Sequence, residues 1–354
     1  TGHHFNWFID MEYEKIKIIA EKDALLQLLN STSFSKGKTL KYIFQNLAEI
    51  VLIMDEEDLE KDWKNMESKL RKLFDSFDLE RPTAISALKK IYKNPAFCVE
   101  FDPFALWVLN KAENEINNLK ECLGVWALHP NSITDDCFEV RLPKRYTNNS
   151  VIKGKKNNGW GNYLALLEKE LPPMNGIVIN DRYLLSNVHW EDGKVCGFYG
   201  LDNLVCLFDE LLPKNLKIPF HILILCKHPD KEIDCSDFLN EFMEKVQRLR
   251  GYDIKIIFVY DASFHHRDLL THYFNLKADK VFNAFLHNQM KKLKGENTFE
   301  LVYYLDHPKT AGDTEYYTAK QIINDIYDAF SNAVSLGNYT SHEGFTTNRL
   351  FGNL

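Results

Sequence analysis

Short apolar runs recur along this chain with amphipathic stretches between them, and that alternation limits the fold more than any other feature. In the second half the runs are I-V-I after P-P-M-N-G, then F-H-I-L-I-L, then I-K-I-I-F-V-Y. Each is too short for a buried helix and rich in β-branched residues, so each reads as a strand. Between them lie a helix from Leu201 to Leu212 and another that starts near Ser236 or Asp237 and stops at Gly251. The second helix carries Phe238, Phe242, Val246 and Leu249 on one face. Strands alternating with helices predict a largely parallel sheet covered on both faces. T-F-E-L-V-Y-Y-L-D adds a further strand, and T-A-K-Q-I-I-N-D-I-Y-D-A-F a further helix.

The first half reads as a second, helix-rich α/β unit. K-I-K-I-I-A is a strand running into the helix A-L-L-Q-L-L, and T-L-K-Y-I-F-Q-N-L-A-E-I-V-L-I is helical or buried. The acids Asp55, Glu56, Glu57, Asp58, Glu60 and Asp62 complement the dipole at the start of another helix. A-F-C-V-E-F reads as a strand, and Asp102 and Pro103 as the N-cap and first residue of a helix. Leu109, Ala112, Ile116, Leu119 and Leu123 form that helix's apolar face. Gly124 stops it, and G-V-W-A-L-H-P returns as a strand. The predicted organisation is a helix-rich α/β domain over 11–130, a basic linker or insertion over 131–162, an α/β domain over 163–335 and a polar tail over 336–354.

With 354 residues, 45% of them hydrophobic, two ordinary cores are within reach. A net charge of −7 excludes a uniformly basic nucleic-acid coat, so any anion-binding surface is local. Such a locality is R-L-P-K-R-Y-T-N-N-S-V-I-K-G-K-K. It carries Arg141, Lys144, Arg145, Lys153, Lys155 and Lys156 with no acid, flanked by Trp160. Basic residues interleaved with aromatics suit a phosphate backbone and stacked bases, and a lysine-rich solvated linker is the other reading. The seven scattered cysteines form no C-x-x-C pair and predict reduced thiols in a cytoplasmic protein. No apolar run reaches membrane-spanning length, so no membrane partner is expected. No phosphate-loop, dinucleotide or nucleophile-elbow motif appears, and no cofactor is implied.

Two polar clusters follow predicted strands, where parallel α/β sheets gather ligands. The first is N-D-R-Y-L-L-S-N, Asn180 to Asn187, and the second is H-H-R-D-L-L-T-H, His265 to His272. Aligned, Arg182 matches Arg267, Asn180 matches His265 and Asn187 matches His272. The pattern H-x-R-x4-H resembles a degenerate H-x-K-x4-D motif of the phospholipase D superfamily, over about residues 170 to 310. It is also similar to the H-D-R strand end of phospholipase D-like domains that lack catalysis.

In that family two such motifs face each other across a phosphodiester. One His attacks phosphorus, the other protonates the leaving oxygen, and basic residues hold the phosphate. The resemblance implies His265 as nucleophile or acid, Arg267 at the Lys position and His272 at the Asp position, with Arg182 on phosphate. Asn180 stands where the first motif needs its His, so one chain carries at most half a site. Activity would need a homodimer or a protein partner from the same system.

The function expected on this resemblance is interaction with DNA or RNA, with phosphodiesterase activity, in the manner of bacterial defence or accessory factors. The alternatives are a catalytically inactive interaction subunit and a metal-dependent nuclease with Asp55 and Asp102 as strand-end carboxylates; His265, His266 and His272 with Asp261 or Asp268 are a separate candidate metal-ligand set. A purely structural reading puts His265, Arg267 and Asp268 in a buried network that orders the strand end. Asp306 and His307, in L-D-H-P-K, read as a turn.

Overall fold

Alternation within the first strand shows how two cores arise from one segment. In β1 (Ile16–Ala20), Ile16, Ile18 and Ala20 face one buried cluster, and Ile19 faces another. The computed structural model describes residues 15–92, 94–138, 159–165, 171–229, 233–261, 263–279, 282, 284–285, 299–305 and 315–351. The protein is α/β, with two separate large sheets.

The first sheet is wholly parallel. Around β1 it sets β2 (Ala48–Leu52), β3 (Thr83–Ala84), β4 (Leu106–Val108) and β5 (Ala127–Leu128), in the order β3-β2-β1-β4-β5. Helices α1 (Lys22–Leu29), α2 (Thr32–Lys36), α3 (Lys38–Tyr42), α4 (Glu56–Lys64), α5 (Lys69–Phe77), α6 (Phe97–Phe101) and α7 (Glu113–Leu123) accompany it. The apolar run read as helical or buried divides into α3, a π-turn over Ile43–Leu47, and β2. Asp55 is the N-cap of α4, with Glu56, Glu57 and Asp58 in its first turn, as the acid cluster predicts.

A-F-C-V-E-F is a correction: Phe97–Phe101 is helical, and the strand is β4. Asp102 does not open a helix. Its Oδ1 accepts the Phe104 N–H at 2.9 Å across Pro103, which makes a turn into β4. Leu109 and Ala112 precede α7. Gly124 does end α7, with φ of 62°, and a Cβ there would meet the Met174 carbonyl at 2.4 Å.

The second sheet is mixed, where the sequence predicts one largely parallel. β6 (Gly176–Asp181), β9 (Phe220–Cys226) and β10 (Ile254–Tyr260) are parallel neighbours. β11 (Arg267–Leu270), β12 (Phe274–Ala278) and β13 (Phe299–Tyr303) join antiparallel on one side, and β14 (Tyr339–Ser341) on the other. β11 and β12 are strands that the sequence reading does not give: R-D-L-L is too short and polar to show a period, whereas F-N-L-K-A does alternate. The short T-H-Y link between them has no room for a crossover helix, which parallel pairing requires. Between β6 and β9 stand a hairpin, β7 (Val188–Glu191) with β8 (Lys194–Phe198), and a helix. The helices of this half are α8 (Gly159–Ala165), α9 (Tyr199–Leu211), α10 (Ser236–Gln247) and α11 (Glu315–Leu336). Part of the polar tail is structured: β14 pairs with β10, and Leu350 and Phe351 are buried.

One face of the second sheet, carrying Ile177, Ile179, Ile222, Ile224 and Ile256, packs with α9 and α10. The other, carrying Val178, Leu223, Leu225, Ile257 and Leu270, shares a continuous core with α11 and the first sheet. Tyr273 pins the two halves. Its hydroxyl donates to the Ala105 carbonyl at 3.0 Å and accepts the Trp126 N–H at 3.1 Å, while its ring packs on Trp126. Asn175 Nδ2 adds a bond to the Leu123 carbonyl at 2.7 Å. All seven cysteines are unbridged, and burial pushes Cys98 up to about 12. No helix among the described residues is long and apolar enough to cross a membrane.

Tyr273→Phe keeps the ring and removes the hydroxyl that bridges two backbone groups. Leaving that buried N–H and C=O unsatisfied is expected to lower stability by about 1–3 kcal/mol, read as a lower urea midpoint with an unchanged m-value.

Candidate phosphate-binding edge

The parallel strands β6, β9 and β10 all end at one edge. Arg182 and Tyr183 follow β6, Lys227 and His228 follow β9, and Asp261 follows β10. The chain then enters β11 in the opposite direction, which sets Arg267 across from Asp181 and Asp268 across from Asn180. Antiparallel pairing therefore joins the two polar clusters. Arg182 Nη1 lies 3.2 Å from His265 Nδ1 and 3.1 Å from Nε2, a near-equal approach that sets the guanidinium against the ring. Tyr183 completes the group. The Arg182 and Arg267 guanidinium carbons stand 5.7 and 5.4 Å from its ring centroid. Arg267 also donates to the Asp279 carbonyl at 3.2 Å. His265, His266, Lys227 and His228 are exposed, and both arginines are half-buried.

A buried carboxylate holds the turn that presents this group. Asp181 Oδ1 accepts the Tyr183 N–H at 3.0 Å, and Oδ2 accepts the Phe282 N–H at 2.8 Å. Burial raises its pKa to about 6, against the opposing pull of those bonds and of Arg267. Asp261 is similarly committed to a turn, accepting both the N–H and the hydroxyl of Ser263. Among the described residues neither arginine nor Lys227 is ion-paired to a carboxylate. The carboxyl edge of the first sheet differs. There Lys89 pairs with Asp55 and Lys22 with Asp62, and Glu21 accepts the Asn110 N–H at 2.8 Å.

Other predicted site residues fall elsewhere. His272 lies past the far end of β11, 0% exposed, against Phe104, so it does not share an edge with His265. Among the described residues neither of its ring nitrogens has a hydrogen-bond partner. Burial first, then the charge of Arg349, lowers its pKa to about 3, so it is neutral at physiological pH. It cannot stand in for a catalytic Asp at this rim. Trp160 is 0% exposed and donates to Asn203 Oδ1 at 3.3 Å, among Phe285, Phe299 and Tyr163. It is a core residue and not a stacking platform, because the glycines beside it let aromatic rings close over it: a Cβ at Gly159 would lie 2.1 Å from Phe285. Arg141, Lys144, Arg145, Lys153, Lys155, Lys156, Asp306 and His307 lie outside the described residues.

The structural reading of the second cluster holds only for Asp268. It is buried, its pKa raised by burial, and it accepts from Asn275 Nδ2 at 2.8 Å, with the buried Asn180 opposite. Among the described residues no group of three or more His, Cys, Asp or Glu is gathered as a metal site would need. Tyr183, Lys227 and His228 are edge residues that the motif reading does not use, and Trp190 is exposed on the hairpin that follows. V-H-W-E-D-G-K-V did carry a signal, since Asp-Gly between alternating residues marks a hairpin.

The arrangement offers two guanidiniums and one exposed imidazole to an anion, with a lysine on the next strand. Among the described residues no hydrogen bond or ring contact joins His265 to a second histidine; His228, at the same edge, meets the Pro229 carbonyl and the Tyr260 ring instead. No protein-family model matches the chain, and neither does any curated protein.

The buried histidines fix the sign of the acid response. His221, like His272, is lowered to about 3, chiefly by burial. Unfolding exposes both at an ordinary pKa near 6.5, so between about pH 6.5 and 3 the unfolded chain binds more protons and stability falls as pH falls. Asp181 acts in the opposite sense between about pH 6 and its unfolded value of about 3.9, where the folded chain holds the extra proton. Two histidines outweigh one carboxyl, so the net loss runs through the whole window and is partly offset by Asp181 between about pH 6 and 3.9. His272→Leu is expected to make the decline of the urea midpoint from pH 7 to pH 5 shallower than in the parent protein.

Proposed function

We propose that this protein binds nucleic acid in the manner of the phospholipase D-like group, holding the phosphodiester backbone at the carboxyl edge of its second sheet. The observation that carries the reading is the convergence of Arg182, Arg267 and His265 from adjacent antiparallel strands, with no ion pair to a carboxylate among the described residues. Guanidinium is weakly hydrated and planar, and it pairs phosphate oxygens two at a time. Lys227 extends the positive edge by one strand. The run with Arg141, Lys144, Arg145, Lys153, Lys155 and Lys156 adds charge for a longer polyanion.

The chemistry separates binding from cleavage. A phosphohistidine-type displacement needs one imidazole to attack phosphorus and a second group to protonate the leaving oxygen. His265 can serve either role but not both at once. Asn180 is buried and does not titrate, and His272 is remote. His228, at the same edge, is engaged by the Pro229 carbonyl and the Tyr260 ring, so a single chain binds and cleavage belongs to a pair of chains that sets two His265 side chains across one phosphodiester.

The lack of a second histidine in contact with His265 among the described residues also favours a second reading, a non-catalytic subunit that docks another protein here. The metal-dependent nuclease draws no support from the described ligand sets.

Fluorescence anisotropy with labelled DNA and RNA decides between these readings. Arg182→Ala and Arg267→Ala are each expected to weaken binding and to lower the slope of log K against log salt by about 0.7 to 0.9 per lost phosphate contact. Affinity that ignores both salt and these substitutions would remove the nucleic-acid reading and leave protein docking. Cleavage, where seen, is expected to persist in chelator, to rise with protein concentration as dimers form, and to vanish in His265→Ala.

A further inference from the structure

We infer that the β7–β8 hairpin is a base-stacking arm, and that the ligand of this edge is a single strand. The inference rests on the phosphate-binding reading above and adds to it what lies beyond the phosphates. Among the described residues only Met66, Tyr183, Trp190 and Leu336 are large hydrophobics left exposed. Tyr183 (38% exposed) and Trp190 (57% exposed) belong to the segment that leaves β6 at the phosphate edge. They are seven residues apart, so at most about 25 Å of chain separates them. A strand of a few nucleotides spans that interval.

The hairpin is built to hold its tryptophan out. Its turn, Asp192–Gly193, has φ of 49° and 75°, the doubly positive pair that two-residue hairpins need. The ladder shifts register between His189 and Trp190, where Cys196 of β8 is left without a partner, a bulge that increases the local twist of the ribbon at Trp190. The base of the arm is fixed. Tyr199 N–H donates to the Asn187 carbonyl at 3.1 Å, the His189 and Tyr199 rings are 5.6 Å apart, and a Cβ on Gly200 would lie 2.1 Å from the Leu184 carbonyl. A two-stranded ribbon gains little by itself from an exposed indole. A π-face offered on a fixed arm, within about 25 Å of chain from arginines that make no ion pair among the described residues, matches unpaired bases on a phosphate backbone. A duplex keeps its bases stacked inside and offers these rings nothing to stack on. Tyr183 already stands between two guanidiniums, and base, ring and guanidinium planes stack readily on one another.

The test measures anisotropy at low salt with three probes of equal length: a labelled oligothymidylate, an abasic deoxyribose-phosphate oligomer and a duplex. The single strand is expected to bind more tightly than the other two. Trp190→Ala is expected to weaken oligothymidylate about tenfold, the scale of one lost base–aromatic stack, and to leave the abasic oligomer unchanged. Trp190→Phe is expected to restore most of the loss. Circular dichroism and an unchanged abasic affinity show that the variant is folded. Oligothymidylate binding should quench tryptophan emission in the parent protein, with the change much reduced in Trp190→Ala. Equal loss on all three probes, or no loss on oligothymidylate, overturns the stacking arm while leaving arginine-dependent phosphate binding intact. Tighter binding of the duplex overturns the single-strand assignment. Failure of every probe to bind removes the phosphate reading, and this inference with it.

Discussion

The antiparallel pairing of β11 with β6 is the constraint on which the edge depends. β6 lies in a parallel trio, and its carboxyl end would by itself present one arginine and one tyrosine. Reversing the chain into β11 returns a second polar segment to the same end, with Arg267 in register with Asp181. Had a helix crossed over to a parallel strand, the start of β11 would have reached the opposite end of the sheet. Residues 83 apart in sequence, Arg182 and His265, meet because the strand direction changes once.

That arrangement carries an internal cost. β6, β11 and β12 place Asn180, Asp268 and Asn275 in the interior, and Asp181 is buried on the other face. A buried polar group without a partner costs about 1–3 kcal/mol, so the sheet gives up stability to hold this shape. Part is recovered by the Asp268–Asn275 bond and by the two backbone bonds to Asp181. The rest is carried by the aliphatic faces of β9 and β10, buried on both sides. Stable central strands support polar flanking ones, and the polar flank is where chemistry is displayed.

The separation of the three predicted histidine and arginine positions follows from strand geometry. Residues 265, 267 and 272 read as one motif on paper. A strand advances about 3.3 Å per residue, so five residues carry His272 well past Arg267 toward the other end of the sheet. It is buried there beside Phe104, while His265 stays in solvent. Trp160 was misjudged for the converse reason. Its neighbours in sequence are basic and glycine-rich, but its neighbours in space are Phe282, Phe285 and Phe299, which come from more than a hundred residues away.

What the sequence determined by itself is what local physics governs. The apolar runs became strands, the acids after Asp55 became a first helical turn, and Gly124 took the left-handed cap, because each depends on a few adjacent residues. The Asp-Gly turn of the hairpin belongs with them. A-F-C-V-E-F went the other way, since a short apolar segment suits helix or strand and its neighbours decide. Strand order and direction, the meeting of Arg182 with His265, the burial of Trp160 and His272 and the exposure of Trp190 were decided only in three dimensions. They depend on which surfaces are left to cover once the sheets have formed, and no window of neighbouring residues contains that information.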